Sequence, residues 1–425
     1  MDEYKESQLD VISLNETDLC CTEMPVTDVD FDNIQQKIHL FNESQILNQK
    51  IELAHNILAS FQNFNLEDIA SFDFSGFFEA IKDLIYENNE SIIREINYFA
   101  KDCNVLKDAL IHFKIYDSIL FFFVSMNTEC KRIAINVLSQ MNTFDHCFLC
   151  SFYETILKLK KIDDLELIST MLIHISETTD CVNDLLKILQ YFIVDLNFYQ
   201  NSLPSFLILM KRSKVHCYKA ANTRILQFIT QNFENISNNF LEISIGCIEL
   251  SLPYRKIPEN FFSALNFEKL KNIFQNSGKE EEIHKIALFL SHLYSSEDYF
   301  GLIHNTEIEK VIFEIFSLSC YEIKKELASN IAISMRYITY NELMTDFFQN
   351  IFDEVISIAE SGETDVIVAI IDTVIRISDT NPDFLIHIQK FYSIFEDIYM
   401  STDDKYLTDL LDVFLTKIDK FEEYI

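Results

Sequence analysis

From about Phe31 onward, apolar residues recur every three to four positions, in segments of 10 to 16 residues separated by short polar breaks such as 87–90, 127–129, 177–180 and 361–364. That period puts the apolar side chains on one face of a helix. No stretch alternates strictly between apolar and polar for long enough to demand a strand. The pattern predicts an all-α chain. Ahead of it, residues 1–32 hold ten acids and a single Lys, with weak periodicity at Leu9, Val11, Ile12 and Leu14. They read as a disordered acidic tail, followed by a helical domain over 33–425.

One kind of segment returns along the chain: a polar turn, an apolar residue, two or three polar or basic residues, then a strongly apolar helix. It starts at Ile92, Cys130, Ile283, Ile323 and Val366, with less regular members at Leu165 and Cys217. The starts at 92 and 130 are 38 apart, and those at 283, 323 and 366 are 40 and 43 apart. The gaps of 52 and 66 on either side of Cys217 imply altered or extended repeats in the middle. A period near 40 residues is that of armadillo and HEAT arrays. One helical hairpin cannot bury its apolar face, but a stacked neighbour can, so the expected architecture is a right-handed α-α superhelix, an α-solenoid of about nine or ten repeats with an inner groove. The last segment suits a terminal cap: Leu407, Leu410, Leu411, Phe414, Leu415 and Ile418 share one side, and Asp409, Asp412 and Asp419 the other.

Composition narrows the field. The chain's 425 residues exceed what one compact core holds, about 250–300 residues. Five Gly and five Pro, no Trp, 38 Phe and 18 Tyr argue against turn-rich β folds and leave no glycine-rich phosphate loop. The apolar run at 111–126 is broken by Lys114 and Asp117, so no membrane span is expected, and the first residues lack the basic and apolar regions of a secretory signal. The formal charge of −33, from 67 acids and 34 bases, disfavours nucleic acid and favours either a basic partner or simple solubility. Ten scattered cysteines read as reduced, mostly buried thiols of a cytoplasmic or nuclear protein.

The segment Tyr321-Glu-Ile-Lys-Lys-Glu-Leu-Ala-Ser-Asn-Ile-Ala-Ile-Ser, and the run from Asn65-Leu-Glu-Asp-Ile through Phe77 to Ile92, resemble the armadillo-repeat superfamily and within it the importin-α (karyopherin-α) family. The resemblance implies a non-catalytic scaffold that binds an extended or basic peptide in its groove, or a diverged nuclear-import cargo adaptor. In that family a Trp on each groove helix cradles a Lys stem, and an Asn one turn on holds the peptide backbone. Tyr98, Asn136, Ser329 and Asp372 match the Trp positions; Asp102, Gln140, Ile333 and Arg376 match the Asn positions. Tyr98 with Asp102 and Asn136 with Gln140 are thus the candidate groove residues. The chain departs from the family in having no Trp and in its acidic rather than basic N-terminal segment.

A charge island stands out against the acidic background. Residues 196–233 contain no acid, yet carry Lys211, Arg212, Lys214, Lys219 and Arg224. This is a candidate docking patch for an acidic partner or the chain's own acidic tail; the alternative is a solvated helix pair whose charges pair with neighbouring repeats. His146-Cys147-Phe-Leu-Cys150 holds a lone Cys-x-x-Cys without the second pair that a zinc site usually draws on, and reads as two thiols on an apolar helical face. Cys20-Cys21 lies in the tail, and His284 and His292 read as partly buried core or groove residues. The Phe runs at 121–123, 261–262 and 347–348 read as core. No catalytic motif appears, and no cofactor or metal is expected.

Overall fold

The computed structural model describes residues 30–422 apart from 66, 68–71, 142–143, 160, 234–235, 237, 259–260 and 263–279. The expectations for residues 1–29, including Cys20-Cys21, lie outside these. Every regular element among the described residues is helical, and none of these helices is long and apolar enough to cross a membrane. The chain forms two compact units, dividing after Met141.

The first unit holds α1 (Phe31–Glu43), α2 (Leu47–Ser60), α3 (Ser75–Tyr86), α4 (Glu90–Ala100), α5 (Asn104–His112), α6 (Ile115–Phe122) and α7 (Thr128–Leu138). They stack in two rows, α1 on α3 on α6 and α2 on α4 on α7. Local chemistry sets the breaks. Side-chain oxygens of Asp30, Asn89 and Asn127 accept backbone N–H bonds from Asn33, Ile92 and Cys130, capping α1, α4 and α7. In a chain with few glycines, Asn88 takes the left-handed conformation that ends the α3 turn. Helix α4 then buries Ile92, Ile93, Ile96, Phe99 and Ala100, a stripe that only stacked neighbours can cover.

The second unit repeats the scheme. Its long helices are α9 (Ile162–Thr178), α11 (Ser202–Arg212), α14 (Asn238–Ser251), α15 (Glu280–Tyr294), α18 (Tyr321–Ser334), α21 (Thr364–Thr380) and α24 (Lys405–Glu422), each packed on the next. The other α-helices described in this unit are α8 (His146–Lys158), α10 (Val182–Gln190), α12 (Lys214–Ala221), α13 (Arg224–Gln231), α16 (Glu297–Ile303), α17 (Glu307–Leu318), α19 (Tyr340–Leu343), α20 (Asp346–Ala359), α22 (Phe384–Ile388) and α23 (Tyr392–Ser401). The later repeats run short, middle, long: α16-α17-α18, α19-α20-α21 and α22-α23-α24. Both units are therefore α-solenoid in character.

Two expectations need correction. The Cys217 segment is not a long-row helix but the short α12; the true middle members are α11 and α14. With starts at 162, 202, 238 and 280, the row keeps near-even spacing and needs no extended repeat. The Phe runs are not uniformly core either. Phe123 and Phe348 are buried, whereas Phe121 is 70% exposed and Phe347 half exposed, because consecutive helical residues point about 100° apart. In α24 the expected apolar side is buried at Leu407, Leu411, Phe414, Leu415 and Ile418.

Polar contacts between repeats recur at one repeat's separation. Thr373 Oγ1 donates to the Ala332 carbonyl at 2.9 Å, and Asn330 Nδ2 to Ser291 Oγ at 3.1 Å. Lys325 meets Glu363 at 2.6 Å and Lys390 meets Asp353 at 2.8 Å. The buried thiols of Cys103, Cys130 and Cys217 donate to the carbonyls of Phe61, Asn88 and Leu250, so they tie neighbouring repeats as well as filling space.

Candidate interaction surface

Lys211 and Arg212 end α11, Ser213 caps α12 by accepting the His216 N–H at 3.1 Å, and Lys214 opens that helix. A capped helix start immediately after a helix end places Lys211, Arg212 and Lys214 at one junction. Lys211, Lys214, Lys219 and Arg224 are exposed, and none forms an ion pair with a described residue. Elsewhere in this unit Lys256, Lys285, Lys310, Lys324, Lys325 and Lys417 each meet a carboxylate. Lys214 also stands at the positive end of the α12 dipole, where a cation is disfavoured by about 0.3–1 kcal/mol. His216 between them is held below its usual value, first by burial and then by the charges of Arg212 and Lys219.

Arg212 is different. Its guanidinium turns back to α9, donating to the carbonyls of Ser176 (3.3 Å) and Thr179 and meeting Asp180 at 3.3 Å. It fills the place of the missing donors at a helix C-terminus. Arg255 does the same one repeat on, for the carbonyls of Ala221 and Thr223.

In the same stretch as these four cations, which have no ion pair with a described residue, Val215 and Tyr218 are exposed. Tyr218 packs edge-on against Tyr254, with ring centroids 5.8 Å apart. The pair stands between two open clefts. One, of about 400 Å³, is lined by Asn183, Lys187, Gln190, Tyr218, Lys219 and Asn222. The other, of about 420 Å³, includes Tyr254, Arg255, Lys256 and His292. Sequence reasoning missed the tyrosines and Arg255; an exposed Tyr one residue before Lys219 was the available signal.

The groove candidates sit in the first unit. Tyr98 on α4 (70% exposed) and Asn136 on α7 occupy equivalent positions on neighbouring long helices, both open to solvent, as is Asp102. Gln140 is already engaged: its amide donates to Asn97 Oδ1 at 2.8 Å and to the Asn97 carbonyl at 3.3 Å. Farther along, Asp372 is held by Arg336 at 3.2 Å and Arg376 at 3.1 Å.

His284 is partly buried and pairs with Glu326, whereas His292 is exposed on the second cleft. Cys147 and Cys150 are exposed, not on the apolar face of α8, because Phe148, Leu149 and Phe152 occupy that face.

No protein-family model matches this chain, and no curated protein is similar to it. Among solved structures it is similar to the crystal structure of an engineered protein, with 11% identity and a TM-score of 0.52, over 91% of this chain and 99% of that one. That likeness is one of fold alone. A model of the full-length AP-3 complex in an intermediate open conformation aligns at 12% identity and a TM-score of 0.37, over 88% of this chain and 75% of that one, too remote to argue from.

Proposed function

We propose that the protein is a non-catalytic interaction scaffold of the armadillo type, cytoplasmic or nuclear, that docks an extended acidic protein segment across α10, α12 and the Tyr218–Tyr254 pair. The short, middle, long order of its later repeats favours the three-helix armadillo unit over the two-helix HEAT unit. The single observation carrying the docking reading is that Lys211, Lys214, Lys219 and Arg224 lie exposed, unpaired with any described carboxylate, and together within 38 successive residues free of acid, in a chain with about two acids for each base. Charge complementarity steers association and fixes register, while exposed Tyr and Val supply area that excludes water.

The test is a fluorescent peptide of ten mixed Asp and Glu residues titrated against the full chain at 50 and 200 mM salt. The triple variant Lys211→Gln/Lys214→Gln/Lys219→Gln leaves the capping Arg212 intact. Expected is at least tenfold weaker binding by the variant at low salt, and a shallower salt dependence. Equal binding by both proteins refutes the acidic-segment reading.

A second reading, a basic peptide along the long-helix row, is favoured by open Tyr98, Asn136 and Asp102. An import adaptor of the importin-α kind is less well supported, since Gln140 and Asp372 are committed to internal partners and the chain has no Trp.

A further inference from the structure

We propose that His146, Cys150 and Asp184 form a zinc-class metal site joining one repeat of the second unit to the next. His146 and Cys150 are four residues apart on α8, hence on one face, and Asp184 comes from α10. Cys150 Sγ lies 3.8 Å from His146 Nδ1 and 3.6 Å from Nε2, and Asp184 Oδ2 lies 2.6 Å from Nδ1. One donor atom from each residue falls within 4.8 Å of the others. Lys187 Nζ sits 3.4 Å from Asp184 Oδ1, which leaves Oδ2 to face the histidine and the thiol.

These separations suit a tetrahedral ion. With Zn–S near 2.3 Å and Zn–N near 2.0–2.1 Å, sulfur and nitrogen stand about 3.6 Å apart. The nitrogen–oxygen pair, now at hydrogen-bond distance, opens to about 3.3 Å when the ion replaces the shared proton. Thiolate, carboxylate and neutral imidazole together balance a divalent charge, and a water completes the fourth position of an exposed site. Binding releases the thiol proton, and the ring of a neutral His146 carries its proton on Nε2 so that Nδ1 can bind the ion. The mixed sulfur, nitrogen and oxygen set selects zinc-like ions over magnesium or calcium. A lone Cys-x-x-Cys lacked ligands in sequence; the repeat stacking supplies the missing carboxylate 34 residues on from Cys150. Cys147, also exposed, is not among the converging donors and serves as the control.

The experiment is a Co²⁺ titration of the chelator-stripped full chain, followed through the thiolate-to-cobalt charge-transfer band and the d–d bands of tetrahedral cobalt, then reversed with Zn²⁺. Far-UV circular dichroism checks that each variant is folded. Expected is one ion per chain, retained in Cys147→Ser, with the thiolate band lost in Cys150→Ser and affinity at least tenfold lower in Asp184→Asn. Absence of a thiolate band, its survival in Cys150→Ser, or unchanged affinity in Asp184→Asn overturns the assignment.

Discussion

Lys211 and Arg212 are neighbours of the same charge, and the structure gives them opposite consequences on removal. Arg212→Ala deletes a side chain only 22% exposed that donates to two carbonyls at the end of α9. Its contact with Asp180, a side chain 95% exposed, adds little. Charge-assisted bonds to backbone carbonyls contribute about 1.5–3 kcal/mol each when buried, and one of these two is long and part-solvated, so the loss is about 2 kcal/mol. That corresponds to about a thirtyfold larger opening constant for the end of α9. Native-state hydrogen exchange reads it directly at the amide of Thr179, which bonds to the Ile175 carbonyl at 2.9 Å, and at that of Cys181, which bonds to Thr179 Oγ1 at 3.1 Å. Lys211→Ala, which removes only an exposed cation, leaves these amides within a factor of two or so. Arg212→Lys recovers only part of the protection, because an ammonium cannot present the guanidinium's fork to two carbonyls and a carboxylate. If Lys211→Ala and Arg212→Ala exchange alike, the separation of docking residue from capping residue is wrong.

Tyr116 is buried and its hydroxyl has no hydrogen-bond partner among the described residues. Burial first, and the charge of Asp108 second, push its ionisation upward, so the folded chain keeps a proton that the unfolded chain releases above about pH 10. Its contribution is complete below that pH and lost as the pH rises. Tyr116→Phe is expected to be neutral or up to about 1 kcal/mol more stable at pH 7, and to lose less stability between pH 9 and 11, by urea unfolding. A clear loss of stability at pH 7 would contradict the unpartnered hydroxyl. In the 121–123 run, Phe123→Ala costs about 3–5 kcal/mol while Phe121→Ser stays within about 0.5 kcal/mol. Equal urea midpoints for the two variants would contradict their opposite placement.

Helices and breaks were legible because 3.6-residue periodicity is a local signal. It located the start of α1 at Phe31, the breaks before α4 and α7, the α18 and α21 members of the row, and the buried side of α24. Helix α11 escaped because its Ser-Leu-Pro opening lacks the polar or basic lead of the other members, and α12, which has that lead, belongs to the short class. Side-chain commitments were less accessible. Charge alone does not reveal that Arg212 faces carbonyls 33 and 36 positions back, nor that Gln140 spends its amide on Asn97. Those depend on the stacking distance between repeats, which no window of sequence contains. Asp184 reaches His146 for the same reason.

The stacking also bears on the basic stretch at 211–224. With 67 acids and 34 bases, several lysines find a carboxylate one repeat away, as Lys285 does with Glu242 and Lys417 with Asp379. What sets Lys211, Lys214, Lys219 and Arg224 apart is not the lack of a partner among the described residues, which exposed Lys161 and Lys405 share, but their place within 38 successive residues free of acid, positions 196–233, folded into neighbouring helices. That arrangement sets like charges together, so that Arg212 and Lys219 add to burial in holding the His216 value down, and sets Lys214 against the α12 dipole. Stability alone does not favour it, since one glutamate among those positions would relieve both effects. An acidic segment bound there relieves them too, which makes the patch intelligible as a surface whose counter-charge comes from a partner.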